Sequence, residues 1–462
     1  MPADAASLVG ALTAEMGPRL GQRSPAQAWG VFEGDRLVHV RAGGDAVRLP
    51  AQTAFRIASC TKSFTAASAL LLEADGLLDL DEPLASALDV PLRLIGDVGG
   101  AAPTVRDALA MRAGLPTDDP WADRQESLDD ETFARMLGDG IRMMWPAGGR
   151  YEYSNLGYAI VGRIIGLRAG MPYRRVVETR LLEPLGLTGT GFDSTVPAVG
   201  GAITGYRRAP SGWERLAFSG PGAFSPIGGL FSTVEDLARW CGVLAQAGEL
   251  AGLLPAELTE RMQAPETPVA GDPGGDGPWL AYGLGLVVRA DSSGRRFVAH
   301  SGGYPGFSSF MTWEARSGVG AVAFENATYA GATGAVRAAM DAAFASEAPD
   351  EPVTPDAEPW PETVLAAERL RAELAEGMLS DDDRFDSCVG RDRPFEWRRA
   401  DLDELIEAVG GVDELGPLTH RTPAHAAWTL RGPAGAIRCG ILMTPLADIR
   451  VQRLDITLDQ PA

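Results

Sequence analysis

The sequence predicts a mixed α/β (α+β) fold in which one sheet is assembled from both ends of a first domain. A helical insert separates those ends, and a smaller α+β module follows. Three observations carry this. Alternating runs that read as strands lie near residues 28–41 and again across 282–325, whereas helical periodicity dominates between them. Glu347 to Pro361 packs five prolines and five acids into fifteen residues, the composition of an extended, semi-rigid linker. At 462 residues, the chain is also long enough for two or three domains.

Residues 5–20 read as a first helix, and strands at 28–33 and 36–41 turn at Gly34-Asp35. Phe55-Arg-Ile-Ala-Ser59-Cys-Thr-Lys62-Ser-Phe-Thr65 then runs into an apolar stretch from Ala66 to Leu72. Its spacing is that of an amphipathic helix ending near Asp75-Gly76. Further helices start at Thr104 and at Asn155, the second strongly apolar through residue 167, and the acidic stretch 118–139 between them reads as surface helices or loops. Residues 233–247 form a helix with Ser232 or Thr233 as N-cap and Glu235-Asp236 in its first turn, where the helix dipole favours negative charge. Strands are predicted at 282–289, 296–300, 307–314 and 318–325, then a helix at 333–345. Beyond the linker come helices at 362–376 and near 402–409, a hairpin with strands 425–431 and 436–443, and a last strand at 449–458. The chain therefore divides into a domain at 1–346, a linker at 347–361 and a module at 362–462.

Composition excludes several function classes. The balance of 41 basic against 62 acidic residues gives a net charge of −21, which disfavours nucleic acid and anionic membrane as partners. No run of about 18 consecutive apolar residues is present, so no membrane span is expected. The N-terminus lacks a basic region followed by an apolar core. Cys60, Cys241, Cys388 and Cys439 are scattered with no C-x-x-C spacing, so a reduced, cytoplasmic setting is expected. His420 and His425 are close in sequence, but no cysteine or acid stands at ligand spacing, and no metal site is expected.

Three short motifs carry chemistry. Ser59 and Lys62 lie three apart at a helix start, so both side chains project from one face. A serine hydroxyl attacks only when a base takes its proton, and burial favours the neutral lysine that can do so. Backbone N–H groups at the same helix start can stabilise an oxyanion. Alone, an S-x-x-K is more often a capped helix with a surface lysine. The second motif is Pro146-Ala-Gly-Gly-Arg-Tyr-Glu-Tyr153-Ser-Asn155, which places a tyrosine hydroxyl and an amide before a helix. Tyr153 suits a general base, and Asn155 offers a donor and an acceptor to a substrate amide or ester. The third is His300-Ser-Gly302-Gly303-Tyr-Pro-Gly306-Phe307, between two predicted strands. Its small residues let a substrate backbone approach, and the Gly303 N–H suits an oxyanion hole.

Taken together, Ser59-Cys-Thr-Lys62, Tyr153-Ser-Asn155 and His300-Ser-Gly302 resemble the serine β-lactamase and penicillin-binding-protein superfamily. The resemblance is to its class C-like branch, which has S-x-x-K, Y-x-N and K/H-x-G in this order. Neighbouring phrases are similar too: Pro184-Leu-Gly186-Leu-Thr188 before Thr190-Gly-Phe192, and Gly228-Gly-Leu-Phe-Ser-Thr-Val-Glu-Asp236-Leu. The resemblance covers roughly residues 5–345. It implies an antiparallel sheet flanked by helices, with the helical insert as the opposite wall of a cleft. It also implies that Ser59 forms an acyl-enzyme, that Lys62 and Tyr153 share the proton, and that the ammonium helps hold Tyr153 in its basic form. Ser59 and Gly303 N–H groups would form the oxyanion hole, Asn155 would orient the substrate, and no cofactor is implied. His300 stands where β-lactamases and DD-peptidases usually carry lysine, and Met111-Arg-Ala-Gly114 where relatives often have His-Thr-Ser-Gly. A mostly neutral His300 would attract a substrate carboxylate weakly.

The expected activity is hydrolysis of a small-molecule ester, amide or peptide, of esterase, D-aminopeptidase-like or carboxypeptidase-like type, with weak β-lactam hydrolysis also compatible. Alternatives are a penicillin-binding sensor or scaffold with slow or no turnover, and an acyltransferase. The C-terminal module is open to covering the cleft, mediating homo-oligomerisation or stabilising the first domain.

Overall fold

The computed structural model describes residues 3–459 other than 45–50, 97, 197–200, 276, 348 and 350–356. Most of the expected linker at 347–361 thus lies outside the described residues. An eight-stranded, wholly antiparallel sheet is built from both ends of the first domain. Across it the strands run Arg36–Gly44, Ala26–Glu33, Val319–Glu325, Phe307–Glu314, Arg296–Tyr304, Val287–Ala290, Trp279–Tyr282 and Thr267–Ala270. The N-terminal hairpin therefore sits beside the last strand of the domain, with Gln27 opposite Glu325 and Glu33 opposite Val319.

Period-two alternation decides what each face meets. Trp29, Val31, Phe310, Ala321 and Ala323 point to the face covered by the helices Ala3–Met16 and Ala332–Phe344, which contribute Leu8, Leu12, Met16, Met340 and Phe344. Ala28, Phe32, Met311, Trp313, Val322 and Phe324 point the other way, into the core of the helical insert. Each such large apolar side chain contributes about 1.5–3 kcal/mol on full burial, so a one-residue slip of register would expose a whole face.

Two strand expectations change. Residues 282–289 are two strands, Trp279–Tyr282 and Val287–Ala290, because Gly285 adopts φ +74° and lies against the Lys62 helix. A Cβ there would stand 2.7 Å from the Lys62 carbonyl oxygen. The strand expected at 296–300 continues to Tyr304, so the His-Ser-Gly-Gly motif lies within a strand. Val287–Ala290 pairs only with residues 296–299 of it, and this leaves the His300–Tyr304 edge open on that side.

The insert packs around two helices, Thr61–Ala74 and Asn155–Ala169. Thr104 caps a short helix at Val105–Leu109, and Thr233 caps Val234–Leu244, each accepting from the N3 backbone N–H. A buried ion pair joins strand to insert: the Arg56 guanidinium lies 3.1 Å from Glu126 and 3.8 Å over the Tyr304 ring.

The C-terminal module has its own antiparallel sheet, in the order Glu414–Leu415, His425–Gly432, Gly435–Met443 and Val451–Leu458. Helices Pro361–Ala375 and Phe395–Val409 flank it, the second beginning seven residues before the expected 402–409. Its apolar residues Leu370, Leu374, Ile437 and Leu454 belong to the same continuous core as the insert's Trp121, Met143 and Leu156. Buried Gln452 ties the parts together. Its amide donates to the carbonyls of Thr117 and Met443 and accepts from the Trp121 N–H.

Candidate active site

Ser59 sits in a 3₁₀ turn, Ala58–Cys60, one step ahead of the helix that starts at Thr61. Ala58 is held at φ +47°, a conformation that costs a non-glycine residue free energy and is retained only where surroundings enforce it. The enforcement is visible. Ser309 donates to the Ile57 carbonyl at 2.7 Å, and the Cys60 thiol donates to the His300 carbonyl at 3.4 Å. Burial pushes the Cys60 thiol up to about 12, so it packs as an inert group.

Lys62 is the only lysine in the sequence; every other basic residue is arginine. It is fully buried and donates to three acceptors: Ser59 Oγ at 3.0 Å, Asn155 Oδ1 at 2.6 Å and the Ile227 carbonyl at 2.9 Å. These match the three donors of an ammonium. Burial pulls its pKa down to about 8, against Asp119, Asp123 and Asp118, which hold it up. A group poised there can give or take a proton near neutral pH.

Tyr153 completes the floor, its ring centroid 5.0 Å from the Lys62 nitrogen. Burial, followed by Asp119, raises its phenol well above the ordinary value, and a hydrogen bond with Ser59 works against that rise. The resting phenol is therefore protonated at neutral pH.

Asn155 opens its helix in full burial with its amide spent inside the protein. The oxygen faces Lys62, and Nδ2 donates to Asp118 at 3.0 Å and Asp119 at 2.6 Å. Asp118 also accepts from the N–H groups of Asn155 and Leu156, at 2.9 and 2.7 Å, where a helix N-terminus favours negative charge. Burial and Asp119 push Asp118 up to about 7.

These acids correct an expectation. The beginning of the 118–139 stretch is not surface: Asp118 is fully buried, and Asp119 and Asp123 line the cleft beside Ser59. Composition signals only charge there. What turns the loop inward is the set of free N–H groups at the Asn155 helix, invisible without the tertiary arrangement.

His300 is buried, with Nε2 2.9 Å from the Tyr282 hydroxyl and Nδ1 2.7 Å from the Ser301 carbonyl. The second contact requires Nδ1–H, so Nε2 accepts from Tyr282. Burial, then Lys62, drives His300 down to about 3, and the ring is neutral. Gly302 is needed for close approach, since a Cβ would lie 2.1 Å from Ser309 Oγ and 2.4 Å from the Ile57 carbonyl. At Gly303 a Cβ would meet open space, and this residue lines the cleft with Ser59.

The C-terminal module roofs the cleft. The cavity holding Ser59, about 830 Å³, is lined from above by Asp392, Arg393, Arg398, Asp401 and the strand from Gln452 to Thr457. A second cavity of about 670 Å³ adjoins it, and both are bordered by Thr117, Tyr153, Arg453 and Asp455. The roof residues carried no recognisable motif in the sequence.

Comparison with known proteins agrees with this architecture. Residues 8–345 match the Beta-lactamase family model. Protein flp of Staphylococcus aureus (strain NCTC 8325 / PS 47) is 26% identical over 290 residues, covering 61% of this chain and 54% of flp; the chain thus spans about half the length of that relative. The D-alanyl-D-alanine-carboxypeptidase/endopeptidase AmpH of Escherichia coli (strain K12) is 24% identical over 321 residues, covering 65% of this chain and 79% of AmpH. The octameric penicillin-binding protein homologue from Pyrococcus abyssi superposes with a TM-score of 0.60 at 20% identity, over 98% of each chain. With its sheet, its insert and the family match over residues 8–345, the chain belongs to the Beta-lactamase family, whose members are largely serine hydrolases.

Proposed function

We propose that this protein is a serine hydrolase that cleaves small esters, amides or peptides through an acyl-enzyme on Ser59. The observation that carries this reading is the buried Lys62 nitrogen 3.0 Å from the Ser59 hydroxyl, at the floor of the cleft. Neutral Lys62 takes the Ser59 proton as Oγ bonds to the substrate carbonyl carbon. Tyr153, protonated at rest, delivers a proton to the leaving group and is resupplied from Lys62. The Ser59 and Gly303 N–H groups receive the oxyanion, and water then releases the acyl group, with the proton path reversed. No cofactor enters this scheme.

The lining favours substrates with an amino group near the scissile carbonyl over those with a carboxylate. Arg393, Arg398 and Arg453 already face Asp401, Asp392 and Asp455. Asp123 lines the cleft with no hydrogen-bond or ion-pair partner among the described residues, and burial, then Asp119, raises its carboxyl well above the ordinary value, a rise that a bound substrate ammonium would oppose; neutral His300 supplies no charge for a carboxylate. AmpH, named for action on D-alanyl-D-alanine, supports a peptide-type acyl group. The octameric homologue supports self-association of this chain.

The test is labelling with a fluorophosphonate probe and turnover of p-nitrophenyl acetate. Ser59→Ala is expected to abolish both, and retained turnover would remove Ser59 as nucleophile.

A further inference from the structure

The Ser59–Lys62 pair does not end at Lys62. Its ammonium donates to Asn155 Oδ1 at 2.6 Å, and Asn155 Nδ2 donates at 2.6 Å to Asp119 Oδ1. An amide has one oxygen and one NH2 group, so whichever residue claims the nitrogen side fixes which way the oxygen points. Asp118 and Asp119 both claim it, but they differ in their other duties. Asp118 also accepts from two backbone N–H groups at the start of the Asn155 helix. Asp119 has no such capping contact among the described residues and borders the Ser59 cavity.

We propose that Asp119 is a positioning residue for the nucleophile: by holding the Asn155 amide nitrogen it turns the amide oxygen onto Lys62, and so aims the lysine at Ser59. The inference rests on the hydrolase reading for its kinetic consequence, though not for its geometry. Lys62 and Asn155 are buried and Asp119 is half-buried at the cavity wall, so a charge at that end is felt at Lys62.

The groups around Lys62 are few. The loop supplies Asp118, Asp119 and Asp123, its own turn supplies Cys60, and the Asn155 segment supplies the Tyr153 and Tyr158 rings at 5.0 and 5.6 Å. The strand behind supplies His300, which stays neutral. Burial lowers Lys62, and Asp119 is the first of the groups opposing it. Burial raises Asp119's own pKa, and Lys62 is the first of the groups that oppose that rise, holding it ionised; Asp119→Asn keeps an acceptor for the amide but loses the charge, so Lys62 should titrate at lower pH. Asp118 and Asp123 share charge with Asp119 and take up part of the loss.

Two readouts test this. Lys62 is the only lysine, so in protein labelled with 13C-lysine its ε-carbon gives a single resonance whose titration is read directly. Asp119→Asn is expected to move that midpoint acidward by about half a unit or more; an unchanged midpoint would overturn the electrostatic part of the relay. In turnover, Asp119→Ala is expected to lower kcat about tenfold with KM little changed, but to cost less than about twofold in an Asn155→Ala background. Additive losses, or a loss confined to KM, would overturn the positioning role and make Asp119 a substrate contact. If the wild-type protein turns over no ester or amide, the hydrolase reading fails, and the titration still decides whether Asp119 acts on Lys62. A melting curve for each variant separates these effects from misfolding.

Discussion

The Asn155 amide oxygen stands 2.6 Å from the Lys62 nitrogen, closer than Ser59 Oγ at 3.0 Å. Removing that acceptor leaves an ammonium donor buried without a partner, an arrangement that costs about 1–3 kcal/mol or more for a charged group. Asn155→Ala is therefore expected to lower kcat by at least about tenfold while leaving Ser59 in place, since the Ser59 turn is held by Ser309 and Cys60. Fluorophosphonate labelling rates would show a slowed but measurable reaction; complete loss would mean that Asn155 acts on Ser59 itself.

The pH dependence follows from Lys62. Acylation needs the neutral amine, and a pKa of about 8 leaves about one molecule in ten competent at pH 7. The expected kcat/KM rises with pH to a midpoint near 8 and then levels. A profile flat from pH 6 to 9 would show that Lys62 does not change protonation before the bond forms.

Acid stability should report His300. Its folded value of about 3 lies below the ordinary 6.5, so between these pH values the unfolded chain binds a proton that the folded chain does not. Stability from this group is complete above pH 6.5 and is lost as pH falls towards 3, by up to about 1.4 kcal/mol per pH unit. His300→Gln, which cannot take up that proton, is expected to flatten the fall in urea-unfolding free energy between pH 6 and 4. An unchanged slope would place the acid sensitivity elsewhere.

Substrate charge provides a further test. Asp123 lines the cleft with no hydrogen-bond or ion-pair partner among the described residues, and a substrate ammonium beside it would oppose the rise in its pKa that burial and Asp119 cause. A D-alanyl p-nitroanilide with a free amine is thus expected to outperform its N-succinyl counterpart by about tenfold in kcat/KM, a difference of about 1.4 kcal/mol. Asp123→Asn should narrow that ratio. A preference for the succinylated substrate would reverse the assignment.

The two adjacent glycines of the strand motif should behave differently. Gly302→Ala pushes a methyl against Ser309 Oγ and the Ile57 carbonyl, and overpacking of this kind costs about 1–3 kcal/mol. Gly303→Ala adds a methyl in open space and should leave the melting temperature nearly unchanged while narrowing the cleft. Equal melting temperatures for the two variants would contradict the packing described.

Local chemistry is legible in the chain alone. Ser59 and Lys62 share one face because three residues make most of a helical turn, and period-two alternation marks strands such as Phe307–Glu314 with matching ends. Thr233 caps its helix as its residue type and its acidic followers predict. The break at Gly285 is less visible, because a glycine in an apolar run can pack within a strand as readily as it interrupts one; contact with the Lys62 helix decides.

Sequence by itself thus determined the neighbourhood of the proposed nucleophile: Ser59, Lys62, Tyr153, Asn155 and the His300 strand, which the fold gathers around one cleft. Only the tertiary structure decided the charges around it. An aspartate in an acidic stretch is by default a solvated surface group, and nothing local marks Asp118 or Asp119 as different. Asp118 is buried and Asp119 half-buried because the Asn155 helix start, 36 or 37 positions later in the chain, offers donors that a carboxylate can accept. The roof from Gln452 to Thr457 is likewise fixed by long-range packing of two cores into one, which no local spacing encodes.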